Sequence, residues 1–397
     1  MRVAIAAAAV LALAGCQASG TANAQRPTAS ALQSPIPASA APTVTPSAGL
    51  GFTSQLNCDR PVTALHGLAL FTYSNTSVLG ILDVSNPLKP VLLCWLSPAQ
   101  GGRFDRSSTH IVFWVGDKLG AADLSSGKVV QTDTLPATPS EGFFSSDGAE
   151  FAYRVGDDTN AGMSTHLYRR GDHRDLILYS QNPIGGHGGP PFGPVDQLTF
   201  SADNKELLDF YEFRPNSGPS KFMVFRTADG SIAYQLDTAA FGAWSSTGST
   251  VYFFVQGEQG FVGELDSVGP SGQAQTVVSS INGFFWPRVT PDGAGIVYDA
   301  YDGAGLPHLW RLDLGTQGVA QLSTALSSKP VFVTKSAIWS DEEKPCDCGP
   351  GGASAPDGAI LEHNVSGATD TPVDTSRTAP GVGAPRPSTT GIADVWY

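Results

Sequence analysis

Charge is scarce in this chain: Asp, Glu, Lys and Arg make up 15% of its 397 residues. Acids outnumber bases 36 to 23, for a formal net charge of −13. A surface of that sign repels nucleic-acid phosphates and anionic headgroups, so no nucleic-acid partner is expected. Methionine occurs three times, and no stretch holds helical periodicity over ten or more residues. Beyond the first residues, no apolar run approaches the ~18 residues that a membrane-spanning helix needs. Also missing are an EF-hand loop, His-Glu-x-x-His, a phosphate loop and a dinucleotide fingerprint, so no metal and no cofactor is expected. What is abundant is Gly (45) and Pro (29), a turn-rich composition that leans to β structure.

The chain opens Met1-Arg2, continues apolar from Val3 to Ala14, and reaches Gly15-Cys16. A short basic start, a short apolar run and small residues before a cut are the parts of a secretory signal. Leu13-Ala14-Gly15-Cys16 resembles the bacterial lipobox. That resemblance implies residues 1–15 as a cleaved signal peptide, diacylglycerol on the Cys16 sulfur, and a lipid-anchored place on the extracytoplasmic face of the cell envelope. Residues 16–52 are rich in Ala, Ser, Thr and Pro and almost free of charge, and so read as an extended tether.

The remaining cysteines are Cys58, Cys94, Cys346 and Cys348. An even number in an exported chain makes disulfides the default, with free thiols and a metal site as alternatives. Four cysteines allow three pairings. Local Cys58–Cys94 pairing and a bond from either into Cys346 or Cys348, locking a closed ring, both stay open.

From residue 53 onward, short β-like runs alternate with turn signals. One pattern recurs: an aromatic or apolar residue, Ser or Thr, a turn, then four or five apolar residues. It stands at Phe144-Ser145-Ser146-Asp147-Gly148, Phe200-Ser201-Ala202-Asp203-Asn204, Trp244-Ser245-Ser246-Thr247-Gly248 and Val289-Thr290-Pro291-Asp292-Gly293, and more weakly at Phe104-Asp105. Gly and Asn tolerate the positive φ of a tight turn, so each copy reads as a hairpin. A second motif follows each hairpin, as in Ala122-Asp123-Leu124-Ser125-Ser126-Gly127 and Phe225-Arg226-Thr227-Ala228-Asp229-Gly230, and supplies a third strand, a turn and a fourth. Four antiparallel strands every ~40–50 residues is the pattern of a propeller blade. These hairpins resemble the WD40-like (PD40) repeats of TolB-type propellers, and Gly80-Ile81-Leu82-Asp83-Val84 resembles the LVIVD repeat. The expectation is an all-β chain with a β-propeller over 53–375 and a C-terminal tail over 376–397. Blade starts near 66, 104, 143, 199, 243, 288 and 331 give seven four-stranded blades, with six or eight as alternatives. The apolar end, Ile392 to Tyr397, either docks on the propeller or is disordered.

Candidate site residues are few. The loop Gly185-Gly186-His187-Gly188-Gly189 offers His187 as a ligand contact, against a plain inter-blade loop. Asp157, Asp158, Asp299 and Asp302 carry oxygens suited to Ca²⁺, against solvated turn acids. Asp341-Glu342-Glu343 reads as a solvated acidic run, and Trp114, Trp244, Trp286, Trp310 and Trp339 as inter-blade packing, against a carbohydrate platform. Propeller peptidases add a hydrolase domain with Gly-x-Ser-x-Gly, which this chain lacks. The expected function is therefore a membrane-anchored propeller that binds a protein, a peptide or a glycan. The alternative is a propeller enzyme of lyase, cyclase or glycosidase type with its site at the channel mouth. Three or more acids converging there with a His would mark the enzyme.

Overall fold

A computed structural model of the chain describes residues 53–397 apart from 64, 74–75, 107, 158–161, 182–196, 212–220, 237–238, 257–261, 303, 346–353, 381–388, 390–391 and 397. The described residues form seven antiparallel sheets arranged as a β-propeller. Blade 1 holds β1 (Gln55–Cys58), β2 (Leu68–Thr72), β3 (Leu79–Asp83) and β4 (Val91–Ser97). Blade 2 holds β5 (Gly101–Phe104), β6 (His110–Val115), β7 (Lys118–Asp123) and β8 (Val129–Thr134). Blade 3 holds β9 (Glu141–Phe144), β10 (Glu150–Asp157), β11 (Gly162–Arg169) and β12 (Arg174–Gln181). Blade 4 holds β13 (Gln197–Phe200), β14 (Glu206–Tyr211), β15 (Lys221–Arg226) and β16 (Ile232–Leu236). Blade 5 holds β17 (Ala239–Trp244), β18 (Val251–Gln256), β19 (Val262–Val268) and β20 (Ala274–Asn282). Blade 6 holds β21 (Phe285–Val289), β22 (Gly295–Tyr301), β23 (Pro307–Asp313) and β24 (Val319–Gln321). Blade 7 holds β25 (Ser327–Phe332), β26 (Ala337–Pro345), β27 (Ser354–Asn364) and β28 (Gly367–Pro372).

The repeated turn explains why the blades form. Ser145 donates its hydroxyl to Asp147 (2.6 Å) and accepts from the Glu150 N–H (2.9 Å), while the Gly148 N–H bonds the Ser145 carbonyl (2.9 Å). Thr290 and Asp292 repeat this, with Gly293 at φ +72°. Each copy joins the first strand of a blade to the second and leaves apolar residues free to face the neighbouring blade. Seven separate apolar clusters result, each shared by two consecutive blades. Trp114 and Trp339 sit inside such joints, and Trp244 and Trp310 pack against them.

The ring closes differently from a simple count of hairpins. The innermost strand of blade 1 is β29 (Ile392–Trp396), which pairs with β2. The segment expected as a tail beyond 375 therefore completes the propeller, because β2 has no other partner on that edge. Asp394 fastens it to blade 2, accepting from the Phe104 N–H (3.0 Å) and facing Arg106 (3.4 Å) and Arg103 (3.7 Å). At the outer edge β1 adds a fifth strand beside β4, and a disulfide joins Cys58 to Cys94. Cys16, His187, Cys346 and Cys348 lie outside the described residues.

Candidate functional site at one mouth of the channel

Seven innermost strands surround the axis, and three consecutive ones share an irregularity. Phe241 on β17, Trp286 on β21 and Lys329 on β25 have φ of +43°, +50° and +56°. Each stands four residues before the turn position occupied by Ser245, Thr290 and Val333. At each, pairing with the second strand loses register, which is a β-bulge. A side chain in the left-handed region costs on the order of 1–2 kcal/mol, so three copies at one level are not incidental to the packing. The bulges lie at the end of the blades where the second strands finish.

Aromatic rings gather at that end. Phe241 meets Phe285 edge-on at 5.1 Å and Phe210 at 6.0 Å, and Phe285 meets Tyr301 edge-on at 5.5 Å. The row spans blades 4 to 6, and Phe241, Phe285, Trp286 and Tyr301 keep part of their surface open. Trp286 thus differs from the other tryptophans singled out above: it belongs to the bulged strand, not to an apolar joint.

Behind the rings lie acids. Asp299 on β22 is 6% exposed and accepts the backbone N–H of Lys329 through Oδ2 at 3.2 Å. Its Oδ1 is buried without a protein partner. Burial pushes this carboxyl up to about 7, with Glu343 adding to the rise and Lys329 opposing it. Glu343 is buried and accepts from the Ser328 hydroxyl at 2.6 Å. Asp341 is buried too, accepting the Thr389 N–H at 2.8 Å with the Lys329 ammonium 3.9 Å away. The run 341–343 is therefore not a solvated face: β26 alternates, and Asp341 and Glu343 turn inward. Tyr301 is raised by burial first and then by Asp299 and Glu343.

A second buried network ties blade 3 to blade 4. The Arg154 guanidinium donates to Glu141 (2.6 Å) and Asp209 (2.5 Å), and Asp209 also accepts from Thr165 (2.7 Å). Asp302 caps its own turn, accepting the Ala304 N–H (2.8 Å) and Leu306 N–H (2.9 Å). Among the described residues, no group of three or more His, Cys, Asp and Glu side chains is placed to hold a metal ion. His308, nearest in sequence to the mouth acids, contacts Asp302 (3.5 Å) and the Ala325 carbonyl (3.2 Å) instead.

No family model matches the sequence, and no curated protein matches it. Solved structures do. The tricorn protease superposes with a TM-score of 0.51 at 11% identity, covering 83% of this chain and 36% of that chain. The oligogalacturonate lyase of Vibrio parahaemolyticus gives 0.46 at 14% identity over 82% of this chain and 90% of that chain. The putative TolB of Agrobacterium tumefaciens gives 0.38 at 14% identity over 57% and 82%. At these identities the likeness concerns the propeller fold alone.

Proposed function

We propose that this chain is a lipid-anchored, extracytoplasmic binding module whose propeller takes a protein segment, a peptide or a glycan at the mouth formed by blades 5 to 7. The observation that carries the reading is the threefold bulge at Phe241, Trp286 and Lys329. Strained backbone of this kind is kept where a site needs it. Partly open rings stack on apolar side chains or on sugar faces, and a lysine at the edge supplies a donor. Lipid attachment at Cys16 and the tether before residue 53 would hold that mouth away from the membrane. The enzyme alternative called for a His among the acids, and no described His joins Asp299, Asp341 and Glu343.

The test is a screen of the full-length protein against a set of oligosaccharides and a set of peptides, followed through tryptophan fluorescence. The strongest binder is retested on the double variant Trp286→Ala/Lys329→Ala. A loss of about tenfold or more in affinity is expected, the size of a modest interface anchor. Undiminished binding by the variant, or no binder in either set, would count against the reading.

A further inference from the structure

Blade 3 carries a chain of hydrogen bonds that binding at the mouth does not use. Ser164 and His166 stand two residues apart on β11, so both side chains leave the same face of the strand. Ser164 Oγ lies 2.8 Å from His166 Nε2. His166 Nδ1 lies 2.8 Å from Oδ2 of Asp175 on β12. In this order the carboxylate holds the Nδ1 proton in place and leaves Nε2 to accept the proton of the hydroxyl. Tyr153 braces the assembly. Its phenol donates to Asp175 Oδ1 at 2.9 Å, and its ring stacks on the imidazole at 4.8 Å. His166 is 7% exposed, but Ser164 is only half-buried, so the hydroxyl end of the chain is the open one. β11 and β12 also lose register between Thr165 and His166. Such a bulge takes backbone groups out of the ladder close to the serine.

Blade 7 holds the same arrangement sealed. Ser340 Oγ lies 2.7 Å from His363 Nε2, and His363 Nδ1 lies 2.9 Å from Asp370. Ser340 and His363 are completely buried. The two groupings match in residue types and order and differ in access, which makes the second a control for the first.

The geometry points to Ser164 as an activated nucleophile for acyl transfer from carboxylic esters, with His166 as its general base and Asp175 as a positioning residue. Ser164 Oγ attacks the ester carbonyl carbon and forms a new C–O bond while its proton passes to His166 Nε2. The bond to the leaving alcohol breaks, and the alcohol departs with that proton. Water then attacks the acyl group on Ser164 by the same route, giving a carboxylic acid and restoring the hydroxyl. Nothing is oxidised or reduced.

The experiment uses the full-length protein and a fluorophosphonate probe, which phosphonylates Ser164 with loss of fluoride, read by intact mass and peptide mapping. One adduct per chain on Ser164 and none on Ser340 is expected. His166→Ala and Asp175→Asn should slow the adduct by about 100-fold or more, the usual worth of a general base, when labelled at a temperature where each variant is still folded. Ser340→Ala should label at the wild-type rate. A second arm measures p-nitrophenyl acetate, with a stoichiometric burst of nitrophenolate that Ser164→Ala abolishes. No adduct on Ser164, equal labelling of other serines, or an unchanged rate in His166→Ala would each overturn the assignment. Should a variant lose its thermal midpoint, the wild-type adduct map and burst still decide.

Discussion

Replacing Asp299 by Asn should make this protein less sensitive to pH and more stable above neutrality. The native carboxyl is almost fully buried, has one oxygen on the Lys329 N–H and one without a protein partner, and sits at about 7 where the ordinary value is 3.8. The sign follows from which state holds the proton. Below about pH 4 both the folded and the unfolded chain are protonated here, and the stability is fully present. As pH rises toward 7 the unfolded chain releases its proton and the folded chain keeps it, so stability falls. Above 7 both are ionised and the loss levels off. Three pKa units at 1.36 kcal/mol each amount to about 4 kcal/mol, of which about 3 kcal/mol falls between pH 5 and pH 8. Asn has the same shape and keeps an acceptor for the Lys329 N–H, but it cannot ionise. Urea unfolding at both pH values is the assay. Wild type should lose about 3 kcal/mol more than Asp299→Asn across that interval. Glu150, which burial also pushes up to about 7, contributes equally to both proteins and cancels in the difference. Equal pH dependence in the two proteins would refute the reasoning, because Asp299 would then be ionised in the fold.

Cys16→Ser should move the protein from the membrane fraction to the soluble one, and retention through a salt wash would refute lipidation. Asp394→Ala should lower stability by about 2–4 kcal/mol, because it strands the buried Phe104 N–H and removes the charge facing Arg103. A urea-unfolding change below about 1 kcal/mol, within the range of an ordinary exposed ion pair, would mean that Asp394 does not latch the ring.

The blades were legible because their turn chemistry is local. A Ser or Thr followed two residues later by Asp or Thr, then by Gly or Asn, states its own hydrogen bonds, and several copies in phase define the repeat. Ring closure was not legible in the same way. Ile392–Trp396 is a short apolar run whose partner, β2, is more than 300 residues away, and nothing in five residues names that partner. The mouth was harder still. Phe, Trp and Lys have no preference for left-handed backbone, so the bulges at Phe241, Trp286 and Lys329 leave no trace in residue type. Trp286 read as packing for that reason. Asp341 and Glu343 read as solvated because three acids in a row usually are, whereas alternation along β26 turns the outer two inward. Ser164 and His166 lie at a spacing too common to notice, and only the fold sets Asp175 beside them.

Both ends of the propeller's chain finish in blade 1, one on its inner edge and one on its outer edge. A chain held from its N-terminal side would be loaded in tension through β1. The hydrogen bonds between β1 and β4 would open one after another from Gln55, like a zip, until the load reached Cys58. There the Cys58–Cys94 bond stops the peeling, passing the force covalently to β4 and sparing the sequence between the two cysteines, which stand 36 positions apart. Load then enters the ring at its outer rim, on the strand of blade 1 that lies farthest from the axis. In a chain anchored as proposed, the edge of blade 1 would be a mechanical fuse-block, where strain is taken up before it can reach the mouth.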